Sequence, residues 1–283
     1  MIIFAIQACI FEDNQEDELN QIESKSHPAD DDLMQEKDTI LKVVPSKNID
    51  TIIEKTPVQI ETTKPRSKRR QSPSVLNKKK NFFRLLKPLA KLENENILKL
   101  RAKIIECKTK IQSGEVLQGE DIVLLKENAI KYRCSNVEFD SEEDFDELLI
   151  KVNIIPKDLV LAQAAIETAW GTSYFAKEHN NYFGLWCFTP GCGVVPRSRE
   201  SSKTHEVMNF ENPQLSIRQY MLVLNSHPLF KELRYSRNQD INNNKKPSAY
   251  KMANGLKDYS ARGKQYIKEI QSIIRVNSKL MNE

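Results

Sequence analysis

Between Pro156 and Gly171 the chain reads PKDLVLAQAAIETAWG, a helix-length run that is apolar or small at most positions. A helix that is hydrophobic on nearly every side has to be buried, so the rest of the fold must surround it. Pro156 suits the first helical turn, where a missing N–H costs little, and Gly171 suits a left-handed cap at the far end. Leu159, Ile166, Ala169 and Trp170 recur at helical spacing between them. One carboxylate interrupts the pattern. Glu167 falls in the last turn, on the face of Val160, Gln163, Ala164 and Trp170. Desolvation and the negative end of the helix dipole both penalise its ionised form. A glutamate that keeps its proton near neutral pH is what general-acid catalysis needs. The bland alternative is a solvated glutamate at a helix end, the usual state of this residue type.

The chain has 283 residues, of which 39% are apolar, and the deficit lies in the first eighty positions. Glu12–Asp38 is dominated by Asp, Glu, Gln and Asn, and Lys64–Lys91 carries the runs Lys68–Arg70 and Lys78–Lys80. Such segments bury too little apolar surface to offset the entropy of ordering, so residues 11–80 read as a disordered tether. The apolar start, Met1–Phe11 with Cys9 after a small residue, reads as the tail of an export signal whose beginning lies upstream, or as a degenerate lipoprotein signal. No stretch of about eighteen apolar residues is present that would span a bilayer. A net charge of +4 is small for a nucleic-acid binder, and apart from Phe82 and Phe83 the basic runs lack interleaved aromatics to stack bases. Nucleic acid is therefore not an expected partner. Attraction of the basic segment to an anionic wall polymer or membrane surface is the sharper expectation, against plain solvation as the ordinary one.

Residues 81–150 read as a helical subdomain, with Phe82–Leu86, Leu92, Ile97, Leu98, Leu100 and Ile104 at helical spacing and a second helix around Leu117–Leu125. In residues 151–283 the pattern is helix, short β segments, then helices. Ser173 can cap a short helix running to His179; Tyr182–Phe188, Gly193–Val195 and His205–Phe210 are β candidates. Asn212 and Pro213 start a helix bearing Ile217, Tyr220, Met221 and Leu224, and Tyr266, Ile267, Ile270, Ile273 and Ile274 form a last stripe. Cys187 and Cys192 flank a Pro-Gly turn that brings them together, a disulfide candidate in an oxidising compartment. A metal reading would recruit His179 or His205, but the spacing lacks the paired clusters of zinc sites, so no metal or cofactor is expected. Cys107 and Cys134 fit either a second pair or buried thiols.

Three stretches carry a resemblance: QAAIETAWGTS from Gln163 to Ser173, NNYFGLWCFTPGCG from Asn180 to Gly193, and YSARG from Tyr259 to Gly263. Together they resemble the glucosaminidase family of bacterial peptidoglycan hydrolases, glycoside hydrolase family 73, and more narrowly its Bax-type members, over about residue 81 to the C-terminus. The resemblance implies an α+β fold, mostly helical and lysozyme-like with a small β-hairpin lobe, as the catalytic domain over 151–283. It implies cleavage of the β-1,4 bond after N-acetylglucosamine in peptidoglycan glycan strands, in the bacterial envelope, either periplasmic or membrane-anchored. Glu167 becomes the acid, Glu206 the second carboxylate, with Glu200 as its competitor, and Tyr259 the tyrosine beside the acid, where its hydroxyl would hold the substrate's acetamido group or a water. Gln163 joins the substrate-contacting set. Asn181, Tyr182, Phe183, Gly184 and Trp186 are candidates for the sugar groove, since aromatic faces stack on pyranose rings and amides bond hydroxyl and acetamido groups. Two rivals share the motif: a lytic transglycosylase, which needs one carboxylate, and a wall-binding module without turnover.

Overall fold

A computed structural model of the chain describes residues 72–134, 138–197, 199–200 and 202–283. The apolar start, Cys9, the acidic stretch and the Lys68–Arg70 run lie outside the described residues. A long helix, α1 (Pro73–Gln112), opens the described part with Pro73 at its first turn and the Ser72 hydroxyl accepting the Val75 N–H. It thus begins inside the stretch read from sequence as tether. Its buried face, including Lys79, Phe82, Phe83, Leu86, Ala90, Glu93, Ile97 and Ile104, follows helical spacing. Two shorter helices follow, α2 (Gly119–Lys131) and α3 (Asp144–Lys151).

The buried helix at the centre, α4 (Lys157–Glu167), has every residue from Leu159 to Ala165 in the core. It packs on α1 and on the last helix, α9 (Lys264–Asn282). Pro156 sits just before its first turn, as the cap residue. Next come α5 (Tyr174–Glu178), capped by the Ser173 hydroxyl, and three short strands, β1 (Trp186–Cys187), β2 (Gly193–Val194) and β3 (Glu206–Met208). They form one antiparallel sheet in the order β1-β3-β2, with Trp186 opposite Val207 and Gly193 opposite Met208. Gly193 is obligatory here, because a Cβ would lie 2.3 Å from the Val207 carbonyl oxygen. The helices α6 (Pro213–Ser226), α7 (Lys231–Asn242) and α8 (Ala249–Met252) return the chain to α9. The architecture is α+β and mostly helical. Side chains from Phe82 to Met281 share one hydrophobic core, so α1 and α3 pack into the same interior as α4, α6 and α9.

The strands are shorter than their aromatic content suggests. Over residues 181–185 the Asn181 side chain takes the Phe183 and Leu185 N–H groups, only the Leu185 carbonyl accepts a backbone N–H from β3, that of Met208, and Gly184 turns through a positive φ of 63°. Among the described residues no helix is long and apolar enough to cross a membrane.

Candidate active site

The helix α4 ends at Glu167, four residues before the glycine expected to stop it. Thr168 is the reason. Its buried hydroxyl donates to the Ala164 carbonyl at 2.6 Å and accepts the Gly171 N–H at 2.8 Å, while its own carbonyl receives the N–H groups of Thr172 and Ser173. Ala169, Trp170 and Gly171 then take left-handed conformations in succession, at φ 50°, 68° and 75°. Only the glycine does so without steric cost; the other two store about 1–2 kcal/mol each. Packing holds the turn in place. Trp170 meets Phe82 and Phe83 edge-on at 5.6 Å each, and the Lys79 ammonium lies over its ring at 4.6 Å. The result is a carboxylate at the last residue of a buried helix, facing the negative end of that helix's dipole.

Glu167 is partly buried, and burial raises its pKa above the usual carboxyl value. The Tyr266 hydroxyl, donating to Glu167 Oε1 at 2.7 Å, and the Arg262 guanidinium oppose this, and Glu269 adds to it. Behind Tyr266 the bonding continues inward. Gln163 Nε2 donates to the Tyr266 oxygen at 3.0 Å, and the Tyr220 hydroxyl donates to Gln163 Oε1. Tyr259 stacks on Tyr266 with ring centres 5.5 Å apart and planes 3° from parallel. Its hydroxyl donates to the Phe183 carbonyl at 3.1 Å, not to Glu167. All three tyrosines are buried and hold their protons, with pKa values well above the ordinary phenol's.

Glu206 lives in a different environment. From β3 its carboxylate accepts the Gly191 N–H at 3.0 Å and the Gly193 N–H at 2.8 Å, and these two bonds hold its pKa below the usual range. The loop it clasps is closed by a bond between Cys187 and Cys192. Among the described residues, Cys187, Cys192 and Glu206 form the group with metal-ligand proximity, but with the sulfurs bonded to each other it offers no thiolate to an ion. Neither histidine completes it. His179 Nδ1 pairs with Asn209 Oδ1, and His205 stacks on Trp186 at 3.7 Å. Cys107 and Cys134 are unpaired thiols in the core.

Several residues expected at a sugar groove are in the interior instead. Gln163 is fully buried. Asn181 is buried with its amide saturated by backbone: Nδ2 donates to the Leu185 and Met208 carbonyls, and Oδ1 accepts the Phe183 and Leu185 N–H groups. Phe183 stacks on Tyr220 at 3.9 Å, and Tyr182 packs against Phe82. Tyr182 is 6% exposed and the other three residues 2% or less, so little of any of them faces a sugar. Gly184 and Trp186 remain partly exposed. In the sequence Tyr220 and Tyr266 fall only in apolar stripes. The available signal was that a tyrosine at a core position needs a partner for its hydroxyl.

Desolvation of this kind favours the protonated form of a carboxyl, the form from which a general acid acts. A family model described as "Glucosaminidase: Mannosyl-glycoprotein endo-beta-N-acetylglucosaminidase" matches residues 142–279, which include α4, the β lobe and most of α9. The chain is also similar to Protein bax of Escherichia coli (strain K12), with 30% identity over 212 residues, 75% of this chain and 74% of that protein. The chain belongs to the glucosaminidase family, as a Bax-type member. No solved structure matches it.

Proposed function

We propose that the protein is an extracytoplasmic envelope enzyme that hydrolyses the β-1,4 bond after N-acetylglucosamine in peptidoglycan glycan strands, with Glu167 as general acid. The observation that carries this reading is the state of Glu167: desolvated at the end of a buried helix, with Oε1 engaged by Tyr266. The proton leaves Oε2 for the glycosidic oxygen as the C1–O bond breaks, and the bonding pair goes to that oxygen. The sugar is left as an oxocarbenium-like centre and Glu167 as a carboxylate. A water oxygen then bonds to C1 and gives up its proton, restoring the acid.

In this reading Glu206 acts through its charge. Clasped by two amides, it is ionised but held in place, so the substrate's own acetamido oxygen is the better partner for C1, bonding to it as the leaving oxygen departs and being displaced, with its bonding pair, when the water bonds. Tyr259 buttresses Tyr266, and Gly184 with the Trp186–His205 stack lines the sugar path. The Cys187–Cys192 bond fits a protein working in an oxidising compartment. The exposed Lys78 and Lys80 at the start of α1 would face anionic wall polymer or lipid.

A second reading, lytic transglycosylation, gains from the same clasp on Glu206, because a 6-hydroxyl closing an anhydro ring needs one working carboxylate. Digestion of cell-wall sacculi by the full chain, with mass spectrometry of the released muropeptides, separates the two. Reducing N-acetylglucosamine ends are expected. Anhydromuramoyl ends would favour the second reading, and no released product would overturn both.

A further inference from the structure

Gln163 sits at the middle of α4 with no exposed surface, yet its amide bonds to hydroxyls from two other helices. Tyr220 of α6 donates to its Oε1, and its Nε2 donates to the oxygen of Tyr266 on α9 at 3.0 Å. An amide is suited to this place because it offers an acceptor and a donor on one planar group. The Tyr266 oxygen, already receiving a hydrogen from Gln163, directs its own hydrogen to Glu167 Oε1, 2.7 Å away. The three bonds therefore run one way, from Tyr220 through Gln163 and Tyr266 to Glu167. A carboxylic acid whose Oε1 is an acceptor carries its proton on Oε2.

We propose that Gln163 is a positioning residue: by donating to the Tyr266 oxygen it fixes the direction of this chain of bonds and so assigns the transferable proton of Glu167 to Oε2. The inference rests on Glu167 being the acid of the proposed reaction. Without the amide the Tyr266 hydroxyl is free to turn and accept from Glu167, which would hold the proton on the oxygen facing the phenol. The amide also polarises the Tyr266 O–H, because a hydroxyl that accepts one hydrogen bond donates a stronger one. That stronger donor meets the carboxylate formed when the proton departs, as a charge-assisted bond. The other groups whose charge reaches Glu167 are Arg262 and Glu269, with Tyr220 and Tyr259 as neutral neighbours. Arg262 and Glu269 form an ion pair with each other, and the Arg262 guanidinium lies 5.1 Å from the centre of the Tyr266 ring. Neither Arg262 nor Glu269 bonds to Gln163, so a change at 163 reads the chain of bonds and not the charges.

The test uses the full chain labelled with 13C-carboxyl glutamate, the Glu167 signal being assigned by its loss in Glu167→Gln. Gln163→Met keeps the side chain's length and removes both hydrogen-bonding functions. The expected result is a Glu167 titration midpoint displaced upward, in the direction given by Tyr266→Phe but by less. A kcat lowered by about tenfold with KM little changed should accompany it, a fraction of the ~10²–10⁴ that a general acid supplies. Tyr220→Phe, which removes one oxygen, should give a smaller upward displacement and serves if Gln163→Met does not fold. A residue of packing value alone would lower the melting temperature and leave the Glu167 midpoint where it was. A folded Gln163→Met, or failing that Tyr220→Phe, with an unmoved midpoint overturns the proposal. Absence of cleavage by the unmodified chain would instead overturn the proposed function, and the titration would still decide the role of Gln163.

Discussion

Glu167 ends a buried helix and accepts one hydrogen bond, from a tyrosine; Glu206 stands in a three-residue strand and accepts two, from backbone amides. Burial pushes the first toward its protonated form, and the amides hold the second in its ionised form. The same side chain thus takes opposite states in one molecule, and what separates them is whether desolvation or hydrogen-bond donation dominates. Each is also braced differently. The Glu167 turn leans on Phe82, Phe83 and Lys79 of α1, far away in sequence, whereas the Glu206 loop is closed locally by the Cys187–Cys192 bond.

If the comparison assigns roles correctly, Glu167→Gln is the most damaging change, lowering the rate of glycan release from sacculi by ~10²-fold or more. Calorimetry should show the fold retained. Reduction of the disulfide, or Cys187→Ser with Cys192→Ser, should cost about 2 kcal/mol through the freed unfolded chain, read as a melting temperature lower by several degrees. It should loosen the β lobe and leave the titration of Glu167 unchanged; a moved Glu167 midpoint would mean that the two sites are not independent.

Stability against pH sharpens the contrast, because the two groups pull in opposite directions. The folded-state pKa of Glu167 is raised, so its burial costs nothing below the ordinary value of 4.5, and the cost grows as pH rises from there through the raised value. Glu167→Gln should therefore be more stable than the native chain at neutral pH and indistinguishable from it in acid. The folded-state pKa of Glu206 is lowered, so its contribution is present above 4.5 and is lost as pH falls through the lower folded value. Chemical denaturation should show the native chain gaining from Glu167 as pH falls from the raised value to 4.5, and losing from Glu206 as pH falls further. The smallest effect is expected for Glu206→Gln, whose amide can accept from only one of the two N–H groups. Hydrogen exchange at Gly191 and Gly193 should quicken while the amides of α4 stay protected.

Sequence made much of this legible. The buried character of α4, the position of Glu167 in its last turn, the Ser173 cap and the helix opened by Asn212 and Pro213 all follow from spacing and capping chemistry. Its limit was reached where a side chain bonds to backbone. Asn181 looked like a sugar-binding amide because nothing in its neighbours says that four backbone groups will saturate it. Thr168 stops the helix before Gly171 through two hydroxyl bonds that no periodicity records. Tyr266 lay on a recognised apolar stripe, and only the crossing of α9 over α4 makes its hydroxyl the partner of Glu167 rather than a packed ring. Tyr259, expected in that place, lies one stacked ring away.

The most direct measurement is a single carboxyl titration by 13C NMR in which Glu167 and Glu206 are followed together in the native chain. The Glu167 midpoint is expected above the ordinary value of 4.5 and the Glu206 midpoint below it. Midpoints that coincide, or that fall in the reverse order, would contradict the general-acid role of Glu167, since the acid would then be without its proton at the pH where it is required to give it.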